Sequence, residues 1–203
     1  MRPHARIAVN AAQEANNVVQ SVRKLKCGAV SCGTFGSSYL YFLTDLIEEF
    51  HQAFPDVKLK VAGLNSSEVA DAVMDGQIEA GLVMLPVNNK SLIASEPVWS
   101  SQVGYISASE KRLEGEKTIE ALLDAPLILS EVKWRNTDPI RKLLAKRASS
   151  IGKQLEPIIE VEYQQTAFEL AARGIGDVIA TRPIMHQLGY EKKLKWVPIT
   201  PPV

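Results

Sequence analysis

The 203-residue chain carries no net charge, because its 23 basic side chains are balanced by 23 acidic ones. Proteins that hold nucleic acid through many phosphates usually have a basic surplus, so we do not expect this chain to contact DNA or RNA itself. No stretch reaches 18 consecutive apolar residues, so no membrane-spanning helix is predicted. The first 17 residues also lack the apolar core of a signal peptide. With two cysteines in all, the composition favours the reducing cytoplasm over a disulfide scaffold.

Residues suited to catalysis or metal binding are few and scattered. Cys27 and Cys32 are five positions apart, and in an extended segment their α-carbons would be separated by roughly 16 Å. A disulfide needs about 4.4–6.8 Å between these atoms, and a zinc site would need further ligands. His4, His51 and His186 have neither a nucleophile in a recognisable frame nor an H-E-x-x-H context. We therefore expect no enzymatic activity, no metal and no cofactor.

From residue 25 onward, short apolar segments alternate with amphipathic helical patterns, of which Leu40–Phe54 has the clearest apolar face. This alternation predicts an α/β fold in which helices cover both faces of parallel sheets. The predicted strands are Leu25–Val30, Val57–Ala62, Ile78–Leu85, Gln102–Ser107, Leu127–Leu129, Pro157–Glu162, Val178–Thr181 and Leu194–Ile199.

One order of signals occurs twice in the sequence. Asn65 and Glu68 have the spacing of a helix capping box, followed by a helix, a glycine and an apolar strand. Thr166 and Glu169 begin the same series about half the chain later. The repetition predicts two lobes of similar size. If Leu194–Ile199 returns to pair with the first lobe, two segments cross between the lobes and form a hinge.

Small polar residues follow the predicted strands in both halves, at Ser31–Ser38, Asn65–Ser67, Ser130–Glu131 and Gln164–Thr166. Open α/β sheets bind ligands in the crevice at the carboxyl ends of their strands. The free N–H groups of a helix start suit an anion in such a crevice. Each group alone is explained as a helix cap. Together, with two groups in each lobe, they predict a cleft between the lobes.

These motifs resemble the effector-binding domain of LysR-type transcriptional regulators over nearly the whole chain. The matching stretches are LKCGAV…TFGSSYL, LIEEFHQAFPDVKLKVAGLNSSEVADAVMDGQIEAGLVMLP, ALLDAPLILSE and AFELAARGIGDVIATRP. The resemblance implies a type 2 periplasmic-binding-protein-like fold, in which two Rossmann-like lobes are joined by two crossover segments that act as a hinge. It assigns residues 1–23 to the end of a linker helix, 24–98 and 184–203 to lobe I, and 99–183 to lobe II.

A small effector bound between the lobes is also implied by the resemblance. The expected contacts are Ser31, Cys32, Thr34, Asn65, Ser66 and Met84 from lobe I, with Ser130, Glu131, Gln165 and Thr166 from lobe II. Most of these side chains are neutral hydroxyls and amides, which favours a carboxylate or another oxyanion, whereas Glu131 would suit an amine. Cys27 is expected in the core, and Cys32 is expected to face the effector.

In this family, effector binding changes the angle between the lobes and so moves the DNA-binding domains. The resemblance implies a homodimer in which Leu40–Phe54 of one chain meets Ile140–Ala148 of the other, and it allows a tetramer of the full-length protein. The family's winged helix-turn-helix, which binds DNA, has no counterpart in this sequence. We therefore expect a truncated form of a regulator.

Two other classes of protein fit parts of the pattern. A solute-binding protein of a transporter has the same fold, but it would be exported with a signal or lipobox, and the linker-like residues 1–23 argue against it. An enzyme on this scaffold, such as a relative of porphobilinogen deaminase, would need a catalytic acid and an attached cofactor. The sequence shows no such pair.

Overall fold

The computed structural model of the protein describes residues 28–40, 42–87 and 91–203. The predicted linker over residues 1–23 lies outside these described residues, as does Cys27. The described strands are β1 (Gly28–Phe35), β2 (Val57–Leu64), β3 (Ala80–Leu82), β4 (Val103–Ser107), β5 (Leu127–Leu129), β6 (Ile159–Glu160), β7 (Asp177–Thr181) and β8 (Lys195–Pro198). The described α-helices are α1 (Leu43–Ala53), α2 (Ser66–Met74), α3 (Glu110–Leu113), α4 (Ile119–Leu123), α5 (Pro139–Ser150), α6 (Gln164–Ala172) and α7 (Arg182–Gln187).

Two 3₁₀ turns, Gly36–Leu40 and Val132–Trp134, follow β1 and β5. No helix in the described part of the chain is long and apolar enough to cross a membrane. We call the first sheet with α1 and α2 lobe I, and the second sheet with α3 to α7 lobe II.

The sheet of lobe I is parallel, with β1 between β2 and β3. Helix α2 packs on β1 and β3 through Val69, which is fully buried. Two glycines permit this close approach: a Cβ on Gly81 would lie 2.2 Å from Val69 Cγ1, and one on Gly33 would lie 3.1 Å from it. The start of α2 is thereby fixed over the carboxyl ends of the strands.

The sheet of lobe II has five strands in the order β6-β5-β7-β4-β8. Strand β5 runs parallel to β6 and β7, whereas β4 runs antiparallel to β7 and β8. Apolar side chains are buried on both faces, with Ile106, Phe168 and Val178 in one cluster and Tyr105 and Leu144 in the other. Helices therefore cover both faces of this sheet, as the sequence pattern predicts.

The position of β8 corrects the assignment of residues 184–203 to lobe I. This strand pairs with β4 at the edge of lobe II, where Ile106 lies opposite Trp196. The indole N–H of Trp196 donates to the carbonyl of Ala180 at 3.1 Å. Arg147 of α5 donates to the carbonyls of Pro201 and Pro202 at 2.6 Å each. Strand β8 therefore does not return to lobe I, and in the described part of the chain the segment over 83–102 connects the two sheets.

The first predicted strand continues further than expected. Strand β1 pairs with β2 through Phe35, and Thr34 lies opposite both Gly63 and Leu82. The predicted loop over Ser31–Ser38 is therefore wrong for its first five residues, because neighbours on both sides satisfy their backbone groups. The loop begins at Gly36 instead.

Helix α6 begins earlier than predicted. Its N-cap is Tyr163, and the N–H of Thr166 already donates to the carbonyl of Tyr163 at 3.1 Å. The predicted capping box of Thr166 and Glu169 is therefore wrong. The other predicted capping box is confirmed, because Asn65 forms it with Glu68. Asp138 caps α5, which has a proline at its first position.

Replacing Gly104 with alanine should destabilise lobe II by about 1–3 kcal/mol, the usual effect of overpacking. The new Cβ would lie 2.2 Å from the indole of Trp196 and 2.5 Å from the carbonyl oxygen of Val197. Gly63→Ala is the matched control, because nothing lies within 4 Å of its Cβ position. Urea unfolding compares the variants, and equal midpoints would contradict the docking of β8 on β4.

Candidate functional site

A cavity of about 870 Å³ lies between the two lobes. Lobe I lines it with residues at or after the carboxyl ends of its strands, and lobe II does the same after β5 and β7. Open α/β sheets bind ligands in this position. The lining residues that concern us are Phe35, Gly36, Ser37, Phe42, Asn65, Ser66, Leu82 and Met84 from lobe I, and Ser130, Glu131, Arg135, Asp138, Arg141 and Gln164 from lobe II.

The connection between the sheets is itself part of the wall. Leu85 and Pro86 follow β3, and Pro97, Val98 and Trp99 precede β4, and all five line the cavity. A molecule in the cavity would therefore contact both lobes and the segment that joins them.

The lobe I wall is built around the start of α2. The side-chain oxygen of Asn65 accepts from the N–H of Ser67 at 3.0 Å, and the carboxylate of Glu68 accepts from the N–H of Asn65 at 3.1 Å. Ser66 is 2% exposed, and its oxygen accepts from the N–H of Met84 at 2.9 Å. Because a hydroxyl both donates and accepts, the hydrogen of Ser66 remains for a ligand. The other described residues of lobe I that line the cavity are uncharged, and most of them are apolar.

The lobe II wall carries charged side chains, and those of Arg141 and Asp138 are bonded within the lobe. The guanidinium of Arg141 donates to the carbonyl of Ser130 at 2.9 Å and forms an ion pair with Glu160. The carboxylate of Asp138 accepts from the N–H of Arg141 at 2.8 Å, which caps α5.

Glu131 differs from its neighbours in backbone and in charge. Its φ of 63° places a non-glycine residue in the left-handed region, which costs about 1–2 kcal/mol. Burial, with the nearby charges of Asp138 and Glu162, raises the pKa of Glu131 to about 7, although Arg141 opposes the shift. In the described part of the chain, its carboxylate has no hydrogen-bond partner.

Beside the cavity, the lobes approach each other at Glu68 and the 3₁₀ turn of lobe II. Burial alone would raise the pKa of Glu68, but the N–H of Asn65, the indole of Trp134 and the ammonium of Lys133 together lower it. The N–H of the Trp134 indole is buried without a well-aligned hydrogen bond among the described residues. The carboxylate of Glu68 thus takes part both in the cap of α2 and in the contact between the lobes.

Five of the side chains predicted from the sequence meet at the cavity: Asn65, Ser66, Met84, Ser130 and Glu131. Asn65 and Ser66 lie at a helix start that was predicted correctly, and Ser130 and Glu131 follow a strand that was predicted correctly. Met84 follows β3, which ends at Leu82 and is shorter than the predicted strand. The other five, which are Ser31, Cys32, Thr34, Gln165 and Thr166, do not line it. Their neighbours Phe35, Gly36, Ser37 and Gln164 occupy the wall instead.

The three residues in β1 lie within the sheet, away from the cavity. Ser31 donates to Glu79 through its N–H at 2.7 Å and its hydroxyl at 2.5 Å. Cys32 lies opposite Val61 and Ala80, and burial together with the charge of Glu79 raises the pKa of its thiol. This thiol is therefore not activated as a nucleophile, because the thiolate is the reactive form.

Gln165 and Thr166 are exposed on the first turn of α6. Gln164, at the first position of that helix, lines the cavity in their place. One feature of the sequence does indicate that β1 continues to Phe35. Phe35 is apolar and precedes Gly36, which is typical of a strand that ends one residue before a glycine turn.

Comparison with known proteins agrees with this fold. The domain architecture is that of type 2 periplasmic-binding-protein-like domains, and the family model described as LysR substrate binding domain matches residues 23–203. The chain belongs to this family, and it is an effector-binding domain of the LysR type.

The relatives found by sequence are transcriptional regulators. HTH-type transcriptional regulator IlvR of Caulobacter vibrioides is 23% identical over 181 residues, which cover 88% of this chain and 60% of that protein. HTH-type transcriptional regulator AlsR of Bacillus subtilis is 26% identical over 127 residues, which cover 62% of this chain and 42% of that protein. The chain thus spans about half the length of these curated relatives. They support the regulator interpretation over the transporter one.

Solved structures show the same fold at low identity. The effector-binding domain of BenM with its effector benzoate has a TM-score of 0.67 at 18% identity, covering 85% of this chain and 78% of that one. The regulatory domain of OxyR2 from Vibrio vulnificus, a C206S mutant, has a TM-score of 0.65 at 18% identity, covering 86% and 82%.

Replacing Glu131 with glutamine should stabilise the domain at pH 8 but not at pH 5. A carboxyl group whose pKa is raised from 4.5 to about 7 stabilises the fold below pH 4.5, and that contribution is lost as the pH rises through 7. Allowing for partial exposure, glutamine should add about 1–2 kcal/mol at pH 8.

Urea unfolding at both pH values measures this effect. Glu79→Gln is a control of opposite sign, because its hydrogen bonds to Ser31 lower the pKa of Glu79. The stabilising contribution of the Glu79 carboxylate is present above pH 4.5 and is lost as the pH falls. The Glu79→Gln variant should therefore be less stable than the unchanged domain at pH 8. If Glu131→Gln destabilises the domain equally at both pH values, the carboxyl is not in the raised-pKa environment described.

Proposed function

We propose that this chain is the ligand-sensing part of a LysR-type transcriptional regulator and that a small effector binds in the cavity between its lobes. The observation that carries this proposal is the cavity itself, which is lined by both lobes and by the segment that connects them. Its place at the carboxyl ends of the strands is where this architecture binds ligands. In the whole regulator, a separate domain would bind DNA in the cytoplasm.

The walls indicate a small organic effector with an apolar body and a carboxylate or other oxyanion. Phe35, Phe42, Leu82 and Met84 supply apolar surface. The hydroxyl of Ser66, at the first position of a nine-residue helix, offers a hydrogen-bond donor at the positive end of the helix dipole. Benzoate, the effector bound to the structurally similar BenM domain, is a molecule of this kind.

Effector binding would act by changing the angle between the lobes. A ligand that contacts both walls binds one degree of closure better than another and so shifts the population toward it. Glu68, Trp134 and Lys133 are the groups whose contact would form or break as the cleft closes. The chain would transmit this change as a regulator and would catalyse no reaction, as its transcriptional relatives suggest.

We also propose a homodimer through α1 and α5. No residue of α1 is buried, and its apolar side chains include Leu46, which is 45% exposed, and Ile47, which is 37% exposed. An apolar helix face that its own lobe leaves uncovered fits an interface with a second chain. The full-length regulator would assemble further, into a tetramer.

Ser66→Ala should weaken effector binding by about 10- to 100-fold, the loss expected for one hydrogen bond to a charged group. Ser67→Ala is the matched control, because Ser67 lies on the same helical turn but bonds to the cap Asn65 and does not line the cavity. The ligand would be found by thermal-shift screening of metabolites, and titration calorimetry would give the affinities. Equal affinities of the two variants would show that the effector does not contact the start of α2.

Ile47→Glu should convert the dimer into a monomer, because the new charge would be buried in the interface without a partner. Gln52→Glu adds the same charge on the opposite face of α1 and should leave the dimer intact. Sedimentation velocity at micromolar concentration distinguishes the two states. A dimer that persists in Ile47→Glu would exclude this face as the interface.

A further inference from the structure

We propose that Glu131 makes the cleft selective for effectors that carry a protonated amine in addition to their apolar body. This inference rests on the proposed function and names the chemical class of the effector. The geometry that supports it is the position of Glu131 in the cavity wall of lobe II, together with a lobe I wall whose described residues carry no charged side chain.

The carboxylate of Glu131 has no hydrogen-bond partner among the described residues, whereas the three nearby acids Asp138, Glu160 and Glu162 each have one. Asp138 caps α5 through the N–H of Arg141, and Glu160 is paired with the guanidinium of Arg141. Glu162 accepts from the backbone N–H of Lys133 at 3.2 Å. No comparable partner for the carboxylate of Glu131 occurs among the described residues, so a ligand can reach it without displacing a protein group.

The local field at Glu131 favours a cation. Besides burial, Asp138 and Glu162 destabilise its negative charge, and Arg141 alone opposes them. Arg141 is itself neutralised by Glu160. The other cations of the cavity wall are solvated: Arg135 is 60% exposed and lies 3.8 Å from Glu160, and Lys142 and Lys146 are exposed on α5. A bound ammonium group would supply the missing positive charge inside the cleft.

The backbone at this position is fixed although it is unfavourable for glutamate. The N–H of Glu131 donates to the carbonyl of Glu162 at 3.2 Å, and that of Val132 donates to Val161 at 3.2 Å. A glycine would adopt the left-handed φ without strain and would bring no buried charge. Glutamate therefore carries two costs in the empty domain. Strained residues that destabilise a fold in this way concentrate at functional sites, where a ligand offsets the cost.

An effector of this class would contact the two lobes through different groups. Its amine would lie at Glu131 on lobe II, and an anionic group, where present, would lie at Ser66 on lobe I. Because each end is held by a different lobe, such a molecule binds the closed arrangement better than the open one.

Titration calorimetry with three matched sets of probes tests the proposal. The probes are the proteinogenic amino acids, the acids left when the α-amino group is removed, and the amines left when the α-carboxylate is removed. We expect at least one amine-bearing probe to bind on the order of tenfold more tightly than its counterpart without the amine. Glu131→Gln should abolish that preference, and Glu156→Gln, a change at an exposed residue outside the cavity, should preserve it.

The pH dependence gives a second readout. The carboxyl of Glu131, with its pKa at about 7, is mostly protonated at pH 6 and mostly ionised at pH 8. The affinity for an amine should therefore rise on the order of tenfold between these values, and this rise should be absent in Glu131→Gln. A carboxylate that accepts a hydrogen bond from protonated Glu131 would show the opposite slope.

Four outcomes would overturn the proposal. If the acids without an amine bind as tightly as their counterparts, or if Glu131→Gln keeps the preference, the amine is not recognised by Glu131 and the proposed function stands. If no amine-bearing probe binds, this class of effector is rejected. Ser37 lines the cavity, and an indole at this position would take up part of the space that a ligand needs. If the tightest probe binds equally well to Ser37→Trp, then ligand binding occurs elsewhere and the proposed function fails as well.

Discussion

The reciprocal hydrogen bonds between Asn65 and Glu68 set the geometry on which the cleft depends. They fix where α2 begins, and this places Val69 over Gly33 and Gly81, so that the helix rests directly on the sheet. The same start puts Ser66 in the cavity wall, where its oxygen also holds the segment after β3 through Met84. A cap of this kind stabilises a helix by about 1 kcal/mol, but here it also decides which hydroxyl reaches the ligand.

The two walls of the cleft divide the chemistry between them. Among the described residues, lobe I presents apolar surface and the buried hydroxyl of Ser66, whereas lobe II presents ionisable groups held by α5 and by the segment after β5. Charge is therefore asymmetric across the cavity even though the whole chain is neutral. This asymmetry means that a ligand with distinct ends has a preferred orientation. It also means that the stability of lobe II depends on pH at a position that contacts the cavity.

Local signals in the sequence predicted much of the fold. The cap at Asn65 and the strand Leu127–Leu129 depend on neighbouring residues, and the structure has both. The end of β1 depends on residues far away, because Thr34 is in a strand only when Gly63 and Leu82 pair with it. The site residues near Cys32 were misplaced for that reason. The lobe to which β8 belongs could not be predicted from neighbouring residues either, because it depends on the free edge of β4 and on the space above Gly104.

The segment over 83–102 has a mechanical consequence. It connects the sheets in the described part of the chain, and its residues Pro86, Pro97, Val98 and Trp99 also line the cavity. A ligand there would contact the connection between the lobes as well as the lobes themselves. A displacement of a fraction of an ångström beside this connection would become several times larger at the parts of each lobe that are farthest from it. The volume of the bound molecule near Pro86 and Trp99, as well as its charge, would then set the angle that the lobes adopt, so that two ligands with identical polar groups could produce different degrees of closure.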